Sequence, residues 1–384
     1  MTVRIGLVFP GDISEQAAWS GTPNGLARGL EEAGVEVVPI RAKPPAALNT
    51  AAVRLIAASR ARPPFRGGLI SAVRCNRNIA VASRELVALR NLSVRVALKR
   101  AGPVSALIQI GTSYELPARV PIATYEDQTV RQAETAAYDP LTLPCSEISA
   151  WVARQSRAYA RAAACCTMTN WAAESVRCDY DVPPGKVHVV GVGRNQEPAR
   201  GPRDWRAPRF LFVGADWERK NGSGLLRAFI DLKQRIPSAQ LDVVGNHPPV
   251  DLEGVAAHGP LRRDRPAERD QLMQLFGSAT CFVMPSHREP CGIAYVEAAA
   301  SGVPSIGTTV GGSREVIGEG GRVIVPDDHA ALLGAMMELS DPQVARRLGQ
   351  LAEQRSELFT WRRVAERMLR ALNHHSASVG SPGR

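Results

Sequence analysis

Short apolar, β-branched runs alternate with amphipathic helical stretches along almost the whole chain. That alternation favours parallel sheets wrapped by helices. In the first half the β-type runs are Arg4–Phe9, Glu36–Ile40, Ala106–Ile110, Val120–Tyr125, Cys165–Thr169 and Val187–Val190. The stretch GRNQEPARGPRDWRAP, residues 193–208, is rich in Pro, Gly and charge and reads as a linker. The alternation then restarts, with strands expected at Phe210–Val213, Leu241–Val244, Cys281–Met284, Ser305–Ile306 and Arg322–Val325. Helices are expected at Gly224–Arg235, Glu268–Phe276 and Gly292–Ala300. A chain of 384 residues is longer than one hydrophobic core usually serves, about 250–300 residues. Two doubly wound α/β domains are therefore expected, at 1–192 and 209–358. A helix over 359–374 follows, with Thr360 as N-cap before Trp361 and with Val364, Met368 and Leu369 on one face. Residues 375–384 read as a disordered tail. Near the start, Thr22 is expected to cap the first helix, with Pro23 at its first position and Gly34 beyond its end.

Hydrophobic content of 45% with 22% charged residues describes an ordinary globular chain. The N-terminus lacks the long apolar region of a secretory signal, and no apolar run approaches about 18 residues, so a cytoplasmic location is expected. Seven cysteines form no Cys-x-x-Cys pair, and Cys165–Cys166 sits inside an apolar run, which suits reduced core thiols. The net charge of +10 is concentrated. Arg54, Arg60, Arg62, Arg66, Arg74, Arg77, Arg84, Arg90, Arg95, Lys99 and Arg100 face a single acid, Glu85, within residues 51–100. Phe65 is the one aromatic in that block, which argues against stacking on bases and against a nucleic-acid partner. Amphipathic helices there would suit an anionic membrane surface or an acidic acceptor, and an arginine-rich solvated face is the plainer alternative.

Two segments carry the chemistry. In 281–302, CFVMPSHREPCGIAYVEAAASG, a buried strand feeds a loop and then a helix starting near Gly292. The free amides of Gly292, Ile293 and Ala294 and the positive helix end favour a phosphate or a sugar hydroxyl. Glu289 projects from the loop. Glu297 lies on a helix that is apolar nearly all round, where a carboxylate needs a partner. In 209–224, RFLFVGADWERKNGSG, Arg219 and Lys220 stand just ahead of a second helix and suit a diphosphate. His287 and His247 lack further ligands at metal-binding spacing, so no metal site is expected.

These residues give the C-terminal half a resemblance to the retaining glycosyltransferases of family 4, which have the GT-B fold of two facing Rossmann-like domains. The matching elements are the Glu-x7-Glu pattern of Glu289 and Glu297 within EPCGIAYVEA, the following SGVPSIGT, the Gly311-Gly312 pair and Arg219-Lys220. The N-terminal Trp19-Ser20-Gly21-Thr22-Pro23 resembles the loop such enzymes place near the donor phosphates. The resemblance implies that Glu297 takes the ribose hydroxyls, Glu289 the donor-sugar hydroxyls, and Arg219 and Lys220 the diphosphate. It further implies that Cys291, Gly292 and Ile293 line the donor, that the base lies near Gly259 to Leu261, and that Gly21 admits the β-phosphate. Many relatives carry a histidine near the reacting sugar. Here the corresponding stretch is TYEDQTV, where Asp127, or alternatively Glu126, is the candidate. The implied reaction is metal-independent hexosyl transfer from a UDP- or GDP-sugar, with net retention and no cofactor beyond the sugar nucleotide as substrate. Lipid-linked or cell-envelope glycans and small metabolites are the expected hydroxyl acceptors, and the C-terminal helix is expected to cross back onto the N-domain. Nucleotide-sugar epimerisation on the same fold is the rival reaction. Glycoside hydrolysis fits poorly, because the two glutamates would contact hydroxyls instead of flanking a scissile bond.

Overall fold

The computed structural model describes residues 3–16, 18–60, 82–117, 119–136 and 143–379, the last six of these by backbone alone. The first half contains β1 (Arg4–Phe9), α1 (Thr22–Glu32), β2 (Glu36–Arg41), α2 (Ala46–Ser59), α3 (Arg84–Ala101), β3 (Ala106–Ile110), β4 (Ile122–Glu126), α4 (Val130–Glu134), α5 (Cys145–Arg161), β5 (Ala164–Thr167), α6 (Asn170–Cys178) and β6 (Val187–Val189). The strands form one parallel sheet in the order β2-β1-β3-β4-β5-β6.

The second half contains β7 (Arg209–Gly214), α7 (Gly222–Arg235), β8 (Gln240–Gly245), β9 (Val255–Gly259), α8 (Pro266–Ser278), β10 (Cys281–Val283), α9 (Ile293–Ala300), β11 (Ser305–Thr308), α10 (Ser313–Ile317), β12 (Gly321–Ile324), α11 (His329–Glu338), α12 (Pro342–Ser356) and α13 (Trp361–Val379). Its sheet, also parallel, runs β12-β11-β10-β7-β8-β9. Among the described residues no strand pairs the two sheets. In each the strand order reverses once, between β1 and β3 in the first and between β7 and β10 in the second. At such points neighbouring connections leave on opposite faces, and a crevice opens beyond the strands' carboxyl ends.

The strands bury both faces, as parallel strands covered by helices must. All five residues of β3 are buried, as are all five of β4. Cys165, Cys166, Cys281 and Cys291 are buried and unpaired, whereas Cys145 and Cys178 are exposed thiols. The expected C-terminal crossing is present. Trp361 is 4% exposed and lies on α1, where a Cβ on Gly25 would stand 2.1 Å from its Nε1 and one on Gly29 2.3 Å from its carbonyl oxygen. Only glycine permits this approach. Arg367 Nη1 donates to Val190 O at 3.0 Å and Arg194 N to Phe359 O at 3.1 Å, tying α13 and its approach to the end of the first half.

Several boundaries differ from the sequence expectation, each for a physical reason. Thr22 is not the N-cap of α1. Gly21 is, at φ 81°, and Thr22 lies buried in the first turn with Pro23 behind it. Helix α7 starts at Gly222 because Asn221, at φ 54°, caps it, its Oδ1 accepting from Gly224 N at 3.1 Å. Strand β9 escaped notice because VAAHG is an edge strand with half-exposed residues and no β-branched run. Helix α13 continues to Val379 through residues expected to be disordered, while 380–384 lie outside the described residues. Arg62, Arg66, Phe65, Arg74 and Arg77 of the basic block also lie outside them.

Candidate functional site

The reversal between β7 and β10 gathers the donor-side candidates. Beyond β7, a turn over 215–221 leads Arg219 and Lys220 to the start of α7. Beyond β10, the loop through Ser286 and Glu289 leads to α9, whose N-cap is Gly292 at φ 85°. The two loops are stitched together, His287 N donating to Arg219 O at 2.9 Å and Arg219 Nη1 to Arg288 O at 3.0 Å. A third loop holds Glu289 from the other side. Glu289 N donates to Val310 O at 3.1 Å and Gly312 N to Glu289 O at 3.0 Å, and a Cβ on Gly311 would lie 2.0 Å from Glu289 O. The Gly311-Gly312 pair thus seats the glutamate.

Lys220 and Glu289 are 8% and 6% exposed, and Lys220 Nζ donates directly to Glu289 Oε2. Arg219 Nη1 stands 3.6 Å from the same oxygen. Burial pulls the Lys220 ammonium below its usual range, with Arg219 adding to the shift and Glu289 opposing it. Glu297, 4% exposed, takes a bidentate pair from Arg263, with Nη1–Oε1 and Nη2–Oε2 both 2.6 Å. Sequence reasoning missed Arg263, because Arg262, Arg263 and Arg265 read as a solvated charge run. A sharper use of the same rule, that a carboxylate on an apolar helix needs a cation, would have sought one in the loop after β9. Leu261 of that loop is partly buried against the core. The N–H of Gly259 meets His247 Nε2 at 3.2 Å, and His287 Nε2 meets Asp327 Oδ1 at 2.9 Å, so both histidines act within loops. Cys291 is buried, and Ile293 opens α9.

From the opposite sheet, β4 ends on Glu126, and Asp127 follows it. Asp127 is partly exposed, and its pKa is pushed up to about 6, by burial first and then by the charge of Glu289, with the Arg288 guanidinium opposing. The charge of Glu289 thus reaches Asp127 from the other half of the chain. Glu126 points away. Its Oε2 accepts from Gln155 Nε2 at 2.6 Å and Tyr159 Oη at 2.7 Å, and burial raises its pKa to about 8, so it is a neutral acid of the interior. Gly21 lies in a run with Trp19 (φ 44°) and Ser20 (φ 55°), all left-handed, held by Asn195, whose Nδ2 donates to Ser20 O at 2.5 Å. Asn195 also accepts from Trp361 Nε1 at 2.9 Å, so this loop and the C-terminal helix share one anchor. The halves meet directly at Glu315 of α10, whose carboxylate accepts from the amides of Asn170 and Trp171, each at 2.7 Å, at the start of α6.

Residues 207–341 match the family described as glycosyl transferases group 1. Among curated proteins, a glycogen synthase of Mycobacterium tuberculosis is 31% identical over 196 residues, 47% of this chain and 47% of that protein. A D-inositol 3-phosphate glycosyltransferase of Streptomyces avermitilis is 29% identical over 223 residues, 50% of this chain and 48% of that protein. The matched region thus spans about half the length of these relatives. Solved structures match over the whole chain. Sucrose-phosphate synthase from Thermosynechococcus elongatus superposes with a TM-score of 0.64 at 18% identity, covering 98% of this chain and all of that one. A lipopolysaccharide outer core galactosyltransferase superposes with a TM-score of 0.61 at 13% identity, covering 97% and 99%. The fold is GT-B, and the match to glycosyl transferases group 1 lies within the second half.

Proposed function

We propose that the chain is a retaining, metal-independent glycosyltransferase that moves a hexosyl group from a UDP- or GDP-sugar to a hydroxyl acceptor. Lipid-linked or cell-envelope glycans and small metabolites are the acceptor classes. The observation that carries this reading is the Arg219–Lys220–Glu289 cluster between the starts of α7 and α9, at the strand-order reversal of the second sheet. Two cations and two helix N-termini can neutralise a departing diphosphate without a divalent ion. Glu289 then takes sugar hydroxyls, Glu297 the ribose, and the loop over Gly259 to Leu261 the base. In the transfer step the bond from the anomeric carbon to the β-phosphate oxygen breaks, the acceptor oxygen bonds to that carbon on the same face, and the acceptor's proton passes to the leaving phosphate. Asp127 faces this centre from residues 1–192, the proposed acceptor side. Titration of the protein with UDP-, GDP- and ADP-sugars, followed by melting temperature, tests donor binding. Lys220→Ala and Glu297→Ala are expected to abolish transfer with the fold intact. Near-normal transfer in either refutes this placement of the nucleotide, and interconversion of donor sugars without an acceptor would favour an epimerase.

We also propose a peripheral contact with an anionic membrane. Leu48 and Leu55 of α2 are 51% and 73% exposed, and Leu92 of α3 is 58% exposed, beside exposed Arg54, Arg95, Lys99 and Arg100. Among the described residues no helix is long and apolar enough to cross a membrane. Flotation with vesicles that depends on anionic lipid supports this contact, and binding indifferent to lipid charge refutes it.

A further inference from the structure

Strand β9 ends in a break of register that sets the direction of the loop after it. Val243 and Val244 are consecutive on β8, yet they pair with Ala257 and Gly259, so His258 is an extra residue. Such a bulge interrupts the ladder and re-aims the chain, and bulges gather at sheet edges and beside binding sites. Here the extra side chain is pinned. His258 Nε2 meets Asp242 Oδ1 at 2.8 Å, and its Nδ1 meets Gln271 Nε2 at 3.3 Å. Asp242, 2% exposed, is itself held by Arg209, with Nε–Oδ2 at 2.6 Å and Nη2–Oδ1 at 3.1 Å. Gly259 follows at φ 64°, a left-handed conformation that suits glycine. Its N–H donates to His247 Nε2 at 3.2 Å, a side chain from the loop after β8.

His247 is oriented by contacts of its own. Pro248 O stands 2.8 Å from its Nδ1. A carbonyl can only accept and an amide N–H can only donate, so these two partners admit one tautomer, with the proton on Nδ1 and the lone pair on Nε2. The ring meets Trp217 edge to face, the centroids 6.3 Å apart at 60°. Trp217 is 8% exposed and belongs to the turn that carries Arg219 and Lys220, and its Nε1 donates to Ser223 Oγ at 3.0 Å at the start of α7. The neighbouring Asn246 Nδ2 donates to Ala215 O of the same turn at 2.9 Å. The loop after β8 thus joins the loops after β7 and β9, the strands on either side of it in the sheet. Four residues beyond Gly259, Arg263 closes on Glu297.

We propose that His247 is a positioning residue for the nucleotide: by accepting the Gly259 N–H it fixes the aim of the loop from Gly259 to Arg263, and with it the affinity for the nucleotide and the choice of base. This rests on the glycosyltransferase reading, in which that loop borders the base and Glu297 takes the ribose. Leu261 and Arg263 leave from the same pinned point, the first toward the core and the second onto Glu297. Without the acceptor, Gly259 regains the backbone freedom of a glycine, and the loop spreads over orientations that a bound nucleotide must reorder. The cost falls on nucleotide binding. A loop without a fixed shape also discriminates less between one base and another.

The test is calorimetric titration of the full chain with UDP, GDP and ADP, paired with amide hydrogen exchange in the absence of nucleotide. His247→Phe keeps a ring against Trp217 but removes the acceptor, whereas His247→Gln returns an acceptor oxygen near the place of Nε2. The tightest of the three nucleotides is expected to bind His247→Phe about five- to tenfold more weakly than the wild type, and His247→Gln within about twofold of it. The spread of affinities among the three should narrow in His247→Phe and return in His247→Gln. Exchange over 255–263 should speed up in His247→Phe while the rest of the chain keeps its protection. Unchanged affinity in His247→Phe, an equal loss in both variants, or faster exchange throughout the chain overturns the assignment. If His247→Phe does not fold, His247→Leu carries the test. If none of the three nucleotides binds the wild type, the donor reading falls separately, and exchange over 255–263 that His247→Phe leaves unchanged then overturns the hold of His247 on the loop as well.

Discussion

Arg263→Ala separates two roles for the pair it makes with Glu297. The structure closes both Glu297 oxygens with Arg263 nitrogens at 2.6 Å, on a carboxylate 4% exposed. If Glu297 takes ribose hydroxyls, the nucleotide must displace or share this bidentate contact. Removing one partner of a buried ion pair costs about 3–5 kcal/mol. The Arg263 side chain is 21% exposed, so the lower end applies. At about 2–4 °C per kcal/mol for a domain of this size, the unliganded variant is expected to melt about 6–12 °C below the wild type. Saturating UDP or GDP should then raise its melting temperature by more than that of the wild type, because hydroxyls re-satisfy a carboxylate left bare. Calorimetric affinity for the preferred nucleotide is expected to tighten, by up to about tenfold if about 1.4 kcal/mol of the lost pairing is recovered on binding. Glu297→Gln should show the converse, weaker nucleotide binding with a smaller loss of unliganded stability. Weaker nucleotide binding in Arg263→Ala would mean that Arg263 itself holds the ligand. Unchanged binding would mean that Glu297 never meets the ribose. Either result refutes the exchange.

Glu126 binds a proton in the folded state up to about pH 8 but releases it near 4.5 when unfolded, so stability falls as pH rises between those values. Glu126→Gln keeps the acceptor for Gln155 and Tyr159 and is expected to flatten that fall in melting temperature, and identical pH slopes in the two proteins would refute the assignment. Glu315→Ala removes the acceptor of two amides at the start of α6, so X-ray scattering should show a larger radius of gyration without nucleotide, and an unchanged radius would mean the contact does not hold the halves. Gly25→Ala drives a methyl to 2.1 Å from Trp361 Nε1 and is expected to cost about 3 kcal/mol, the upper end for overpacking, with α13 becoming sensitive to protease. A melting temperature within 2 °C of the wild type, about 0.5–1 kcal/mol, would mean that α13 is not seated on that glycine.

Much of the sheet framework was legible because parallel strands buried on both faces leave continuous apolar runs. Arg4–Phe9 and Ala106–Ile110 match the observed strands to the residue. Legibility failed where local chemistry yields to tertiary contact. Strand β9 lies at a sheet edge and needs no apolar run on its outer side. Thr22 has the side chain of a cap, but three left-handed residues before it, held through Asn195, move the cap to Gly21. The short α10 escaped notice too, its N-cap being Gly312, whose amide is already bound to Glu289 O and Pro290 O.

The two sides of the crevice differ in legibility for a related reason. On the donor side each group sits within a few residues of a strand end and a helix start, so Arg219-Lys220 and Glu289 through Glu297 keep fixed spacings in the sequence. On the other side the groups that converge come from α3, α5, the loop after β3 and the end of β4. Arg90 and Arg154 are 64 residues apart in the chain, yet they lean on the adjacent carbonyls of Thr112 and Ser113. In the sequence Arg90 is one of eleven basic residues in its block, indistinguishable from exposed Arg84 or Arg95. Only burial separates it from them. A charge on a solvated face needs no partner, whereas one that the fold covers needs polar groups to answer it, here the carbonyls of Thr112 and Ser113.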